Sequence, residues 1–425
     1  MIEIRPVKEL DAVFTAPPSK AHTLRALFIA SLAEGESVLK NALYADDQKV
    51  AAEALSAFGA KIKFDGKDFK VRGVGGKPVA PKEPVFTGNS GVTSRFMMPF
   101  AALADGKSII DGDERMRQRP VKGVADALAQ LGAECELGDE GGLPVLVHGG
   151  GFAGGDAEVD GSESSQFLSG LLISAPYAKH GVHVKVAGEL KSRPYVDITL
   201  ECMRAFGVPA VNRRYKEFFV KGGGKYSARE YAIEGDYSSA SYFFAAAAIT
   251  GGKVRVENLN PRSSQGDMSF LDVLEKMGCG VKSGKDFVEV RGGELNGIAI
   301  GLGDCPDVVP TLAIVAAFAE GKTMIRGIAH LAGKESNRIE SVAKNLQACG
   351  VRAKAGKDSL EIIGGKPHGA EINPFGDHRI AMAFSVMGLV VPGIKISAPE
   401  AVSKSFPGFF KELEKAYAHA GGGGR

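Results

Sequence analysis

Several things are missing from this 425-residue sequence, and each absence removes a class of function. The five cysteines (Cys135, Cys202, Cys279, Cys305 and Cys349) are odd in number and scattered, with no CxxC pair. That pattern fits buried thiols in a reducing compartment, not a disulfide framework or a zinc site. The histidines show no HExxH or HxxxH spacing, so no metal constellation is expected. No P-loop and no GxGxxG opening a helix occurs, so nothing suggests a nucleotide. Neither charge sign is in excess: 52 Lys and Arg against 50 Asp and Glu leave a net +2. Nucleic acid and anionic membrane are therefore not expected as partners, and any anion site must be a local concentration of Lys and Arg. Apolar runs such as "VVPTLAIVAAFA" fall well short of the ~20 residues of a membrane span. The N-terminal "MIEIRPVKEL" carries charges where a signal peptide has its apolar core, and the expectation is a cytoplasmic protein.

What is present is ordinary globular composition, 44% apolar and 24% charged, over a length that predicts two domains. The most informative feature is an internal repeat. Helical stretches "AAEALSAFG", "VADALAQLG", "TLECMRAFG", "FLDVLEKMG", "VAKNLQACG" and "LEKAYAHAG" stop at Gly59, Gly132, Gly207, Gly278, Gly350 and Gly421. A second, more apolar series stops at Gly35, Gly106, Gly181, Gly251, Gly321 and Gly393. Both series step by 70 to 75 residues, with glycine as the left-handed helix stop. The first five copies of the first series run into segments with hairpin turn signals, such as "GVKSGKDFVEVRGG". One unit thus reads strand, helix, strand, helix, hairpin, six times over. The last copy lacks its hairpin, a gap that the N-terminal "MIEIRPV" strand can fill, and "GGGGR" reads as an unstructured tail. Three units per domain, with crossings at "TAPPSK" and "YAIEGD", give domains 1–17 plus 235–425 and 18–234.

Nearly every unusual polar cluster lies at a helix start. The apolar series begins with "SKAHTLR", "NSGVTSR", "SESSQF", "GDYSSAS", "PDVVP" and "GDHRIAM"; the other is preceded by "YADDQ", "DERMRQRP", "KSRPY", "SSQGDM", "KESNRI" and "SKSFPG". Ser, Asp and Asn there are ordinary N-caps. Capping does not account for Lys20, Arg25, Arg95, Arg115, Arg119, Arg193, Lys334, Arg338, Arg379 and Lys404, because the macrodipole disfavours cations at that end. Any one of them reads equally well as a surface side chain or a local salt bridge. Ten in one structural location point to a ligand with more than one negative charge, bound where helix N-termini offer free N–H groups. His378 reads equally as a structural or a catalytic histidine, and Asp307 as a simple cap.

Taken in order, "PPSKAHTLRA", "GNSGVTSR", "DERMRQRP", "GSESSQFLSG", "KSRPYVDITL", "EGDYSSASYF", "PDVVPTLA", "KESNRI", "GDHRIAMAFS" and "SKSFPGFF" resemble the EPSP synthase family of 3-phosphoshikimate 1-carboxyvinyltransferases across essentially the whole chain. The resemblance implies an α/β fold of two similar domains, each three βαβαββ units (an inside-out α/β barrel), with the active site in the interdomain cleft. It implies transfer of the enolpyruvyl group of phosphoenolpyruvate to the 5-hydroxyl of shikimate 3-phosphate, releasing phosphate, in the shikimate pathway to chorismate and the aromatic amino acids. No metal or organic cofactor is implied, and a monomer is expected.

Carried onto matching positions, the resemblance makes Lys20, Asp307 and Glu335 catalytic: Asp307 as base at the 5-hydroxyl, Glu335 as acid at the enol methylene, and Lys20 assisting proton transfer. It implies shikimate 3-phosphate contacts from Lys20, Arg25, Ser164, Ser165, Ser192, Tyr195, Asp307, His330 and Lys334. Phosphoenolpyruvate contacts are implied for Lys20, Asn89, Gly91, Arg115, Gln166, Arg338, His378, Arg379 and Lys404. Gly91 is expected to let a ligand approach the backbone where a side chain would intrude. The chain departs from the family's pattern at Ala21, Val92, Phe96 and His330, where serine, threonine, proline and asparagine are usual. A sibling, UDP-N-acetylglucosamine 1-carboxyvinyltransferase, would carry a reactive cysteine in the stretch "DERMRQRPVKG", which has none. A non-catalytic repeat scaffold would not need cations gathered at helix starts.

Overall fold

A computed structural model describes residues 1–418, so Gly421 and the "GGGGR" tail lie outside the described residues. The chain divides into two compact units, Met1–Pro17 with Glu234–Arg425, and Pro18–Ile233. Each has its own hydrophobic core.

Within each unit the 70–75-residue period becomes one sheet and two helices per copy. In the unit formed by Pro18–Ile233, three four-stranded sheets share one order: a parallel pair, then an antiparallel strand, then its hairpin partner at the edge. The other unit has two such sheets and a three-stranded one. In that last sheet Ile2–Glu3 pairs antiparallel with Lys395–Ile396, Ile2 opposite Ile396, and so stands where the sixth copy lacks a hairpin. The strands alternate buried and exposed residues, as in Asp11–Thr15, where Ala12 and Phe14 face inward. No sheet of the described residues closes into a barrel.

The two helix series differ in burial. Helices Lys20–Leu32, Gly91–Ala102, Ser165–Ser174, Tyr237–Thr250, Val309–Phe318 and His378–Gly388 are buried nearly all round. Their sequences have no polar face to offer water. Runs such as "FAAAAI" let neighbouring helices approach closely; Tyr237–Thr250, Val309–Phe318 and His378–Gly388 pack on one another. Helices of the other series are amphipathic. Phe270–Met277 buries Phe270, Leu271, Val273, Leu274 and Met277, the i, i+3, i+4, i+7 spacing of a single stripe. Gly59, Gly132, Gly207, Gly278 and Gly350 close such helices with positive φ. Gly181 departs from the expected stop. Its φ is not positive, and an added Cβ there would stand 3.1 Å from the Phe219 ring.

The first sheet of each unit takes its outer strand from an unexpected part of the chain. Asp11–Thr15 runs directly toward helix Lys20–Leu32 of the second unit, yet pairs in parallel with Lys253–Glu257 of the first. Glu230–Ala232 runs toward helix Tyr237–Thr250 of the first unit, yet pairs in parallel with Val38, Leu39 and Lys40 of the second. All five cysteines are free thiols, four of them buried. No helix of the described residues is long and apolar enough to cross a membrane.

Candidate active site

In the unit Pro18–Ile233, the start of helix Lys20–Leu32 is fixed by Ser19, whose Oγ accepts from the His22 N–H at 3.4 Å. Lys20 follows at once, its Nζ 2.7 Å from Asp47 Oδ2, and both side chains are largely buried. Arg25 lies further along the same helix and is only 1% exposed. Its Nε donates to Thr199 Oγ1 at 2.7 Å and one Nη to the Ala21 carbonyl at 3.1 Å. The Phe96 and Tyr195 rings lie 5.6 and 5.8 Å from its guanidinium carbon. Among the described residues no carboxylate pairs with it. Burial pushes its pKa down to about 10, against smaller opposing influences from Cys202 and Tyr195.

Ser164 caps helix Ser165–Ser174, accepting from the Gln166 N–H at 3.3 Å. Ser164 and Ser165 are both buried at that helix start. Gln166 receives a hydrogen bond from Arg95 at 2.6 Å, and Arg95 also holds the Pro120 carbonyl through two nitrogens at 3.1 and 2.8 Å. Arg95 therefore ties two helix starts together. Ser192 precedes helix Arg193–Ala205 in the left-handed conformation (φ 56°), a strained position for a residue with a Cβ and one that recurs at functional sites.

Two of the expected positions lie close to Arg119 or compare with it. The space beside Gly91 belongs to a protein side chain: a Cβ there would stand 2.6 Å from Arg119 Nη2 and 2.8 Å from its Cζ. Arg115 and Arg119 differ in their surroundings. Arg115 sits in the short helix Glu114–Arg117, half exposed, with Gln118 Oε1 3.4 Å away. Arg119, one turn later, is 3% exposed and donates to the Asn89 carbonyl and side-chain oxygen, both at 3.2 Å. Its Nε is buried without a hydrogen-bond partner, and no carboxylate of the described residues pairs with it. Both arginines fit the sequence pattern. What separates them is the end of the short helix, after which the chain turns Arg119 inward ahead of Pro120.

The other unit gathers its candidates around Arg338, 1% exposed at the first position of helix Arg338–Ala348. Nε donates to Asp377 Oδ2, one Nη to Asp307 Oδ1 and the other to Glu335 Oε2, each at 2.9 Å. Asp307 uses its second oxygen on Arg379 Nη2 at 2.7 Å. Arg379 reaches toward the Tyr242 hydroxyl at 3.4 Å. Asp377 both caps helix His378–Gly388 and accepts from Arg338 and Ser336. Burial alone would lower the Arg338 pKa; Asp377, then Glu335 and Asp307, more than offset it and hold the group above its ordinary value. Two guanidiniums thus face three carboxylates. His378 is buried beside Asp377, its Nδ1 3.8 Å from Oδ1. His330 and Lys334 lie in and just after the turn Ala329–Gly333 that leads to Glu335, and Lys404 ends the turn Pro399–Lys404, which packs on helix His378–Gly388.

One group of described residues has the convergence a metal ion requires: Glu134, Glu136 and His148, on an exposed hairpin away from these helix starts. Carboxylates fixed on guanidiniums, and buried arginines lacking carboxylate partners, suit anion binding and proton transfer. Comparison with known proteins gives the chain a family. The EPSP synthase (3-phosphoshikimate 1-carboxyvinyltransferase) family matches residues 4–413. The 3-phosphoshikimate 1-carboxyvinyltransferase of Thermococcus kodakarensis is 45% identical over 417 residues, covering 97% of this chain and 99% of the relative. That of Methanoculleus marisnigri is 43% identical over 415 residues, covering 97% and 98%. The solved EPSP synthase of Acinetobacter baumannii superposes with a TM-score of 0.82 at 28% identity, over 97% of each chain. With the repeat, the helix-start cations and a match from end to end in agreement, this chain belongs to the EPSP synthase family.

Proposed function

We propose that this chain transfers the enolpyruvyl group of phosphoenolpyruvate to the 5-hydroxyl of shikimate 3-phosphate. Asp307 takes the hydroxyl proton as the oxygen adds to C2 of phosphoenolpyruvate, and Glu335 delivers a proton to C3. Loss of phosphate and of a C3 proton then restores the vinyl group, giving 5-enolpyruvylshikimate 3-phosphate. Lys20 assists proton transfer at the enolpyruvyl group. Arg25, Ser164, Ser165, Ser192, Tyr195, His330 and Lys334 hold shikimate 3-phosphate. Asn89, Gly91, Gln166, Arg338, His378, Arg379 and Lys404 serve phosphoenolpyruvate, with Arg119 in the place that the resemblance gave to Arg115. One chain supplies every residue named, so the reading needs no second copy.

The observation that carries this reading is Arg25, a buried cation held only by neutral partners. Such a charge is costly until an anion reaches it, and a phosphate forms the strong, charge-assisted bonds that compensate. The supporting assay is phosphate release that requires both phosphoenolpyruvate and shikimate 3-phosphate. Release with a UDP-sugar in place of the shikimate would support the sibling activity, and release with neither would overturn the reading. Arg25→Gln is expected to raise KM for shikimate 3-phosphate about 10- to 100-fold while moving KM for phosphoenolpyruvate much less. An unchanged KM would remove Arg25 from the phosphate site.

A further inference from the structure

The side chain that holds Arg25 is neutral and has no part in the scheme above. Thr199 lies midway along helix Arg193–Ala205 and is fully buried. Its Oγ1 accepts from Arg25 Nε at 2.7 Å. The hydroxyl's single proton faces two acceptors, the Tyr195 carbonyl at 3.0 Å and Ser169 Oγ at 2.9 Å. With the proton committed there, the oxygen is left to accept from the guanidinium. Ser169 is itself fully buried, on helix Ser165–Ser174. The Thr199 hydroxyl thus joins three helices, Lys20–Leu32, Ser165–Ser174 and Arg193–Ala205. Ser164, Ser165, Ser192 and Tyr195, all proposed above to hold shikimate 3-phosphate, stand at the starts of the last two.

A guanidinium has five N–H donors. Arg25 spends one on Thr199 and one on the Ala21 carbonyl at 3.1 Å, which among the described residues leaves three. Anchors on two different nitrogens fix both the place and the plane of the group, and the Phe96 and Tyr195 rings confine it further. Neither anchor carries charge. Arg338 is just as buried but spends its charge on Asp377, Asp307 and Glu335. A carboxylate in place of Thr199 would do the same to Arg25 and would repel a phosphate at short range. We propose that Thr199 is a positioning residue of the shikimate 3-phosphate site: its hydroxyl aims the Arg25 guanidinium without neutralising it, so the remaining donors and the full charge are kept for the phosphate. Donors set in place beforehand bind at little cost in ordering. The inference rests on Arg25 having the role given above.

The test is kcat and KM for both substrates in the full chain, in a double-mutant cycle of Thr199→Val and Arg25→Gln. Thr199→Val keeps the shape of the side chain and removes the hydroxyl. It should raise KM for shikimate 3-phosphate about three- to tenfold, with kcat and KM for phosphoenolpyruvate within about twofold of the parent. Thr199→Ser restores the acceptor and should bring KM back to within about twofold of the parent. In the Arg25→Gln background Thr199→Val should add nothing, because no guanidinium is left to aim. Thr199→Asp keeps an acceptor for Nε, so it should fold even where Thr199→Val does not. By pairing with Arg25 it should raise KM for shikimate 3-phosphate about 10- to 100-fold, as Arg25→Gln does. A parent-like KM for shikimate 3-phosphate in Thr199→Val or Thr199→Asp overturns the inference. So does an equal rise for both substrates, or an equal rise in both backgrounds, which would make Thr199 a packing residue only. If Arg25→Gln itself leaves that KM unchanged, the phosphate reading of Arg25 falls and takes the inference with it. An effective Arg25→Gln beside inert Thr199 variants sinks the inference alone.

Discussion

Asp307→Asn is expected to lower turnover about 100- to 10,000-fold, the range over which a positioned general base contributes. Asparagine keeps the side chain's shape and one acceptor oxygen, so a hydrogen bond to Arg338 or Arg379 survives. It cannot take a proton from the 5-hydroxyl. Arg338 retains Glu335 and Asp377, both at 2.9 Å, so the fold should tolerate the change. Substrate KM values and a melt distinguish lost chemistry from lost structure. A kcat within about threefold of the parent, in a protein that melts normally, would remove Asp307 from the mechanism.

Arg338→Ala should have the largest effect on stability. It leaves Asp377 and Glu335 buried without their guanidinium partner, and leaves Asp307 dependent on Arg379. Breaking one partner out of a buried ion pair typically costs about 3–5 kcal/mol, because charges stay behind in a medium that solvates them poorly. For a unit of this size that corresponds to a fall in Tm of roughly 6–20 °C. Arg338→Lys supplies one charge but not three directed donors, and should recover only part of the loss. A Tm within about 2 °C of the parent for Arg338→Ala would mean that solvent already reaches the cluster, against its 1% exposure.

The fold was legible because its signals were periodic. Two glycine series with one step marked helix ends, and the contrast between "VPTLAIVAAF" and "FLDVLEKM" separated fully buried helices from amphipathic ones. The candidate site was legible as residue types at helix starts, but not as partnerships. Glu335, three residues before Arg338, is the local difference from Arg25, yet Arg338 has two further carboxylates and Arg25 has none among the described residues. The rest of that difference arises from residues 31 to 174 positions away, Asp307 and Asp377 in one case and Thr199 in the other. Arg115 and Arg119 differ in burial for the same reason. They stand one helical turn apart in a motif rich in arginine, and burial of Arg119 against Gly91 is a tertiary fact.

The exchanged outer strands impose an order on how the chain acquires its structure. Every strand of the unit Pro18–Ile233 is available once Ala232 has left the ribosome, and that unit is one uninterrupted stretch. The other must wait: Ile2 needs Ile396, and Asp11–Thr15 needs Lys253–Glu257. Pairings so distant in sequence form slowly in an open chain, because the search must close a long loop before any contact stabilises it. Folding of the insert removes most of that search. The Pro17 carbonyl ends up accepting the Asp236 N–H at 2.8 Å, so the two chain ends leaving the insert are stapled side by side. The N-terminal strand is then delivered to its partner by a nascent domain that finished earlier.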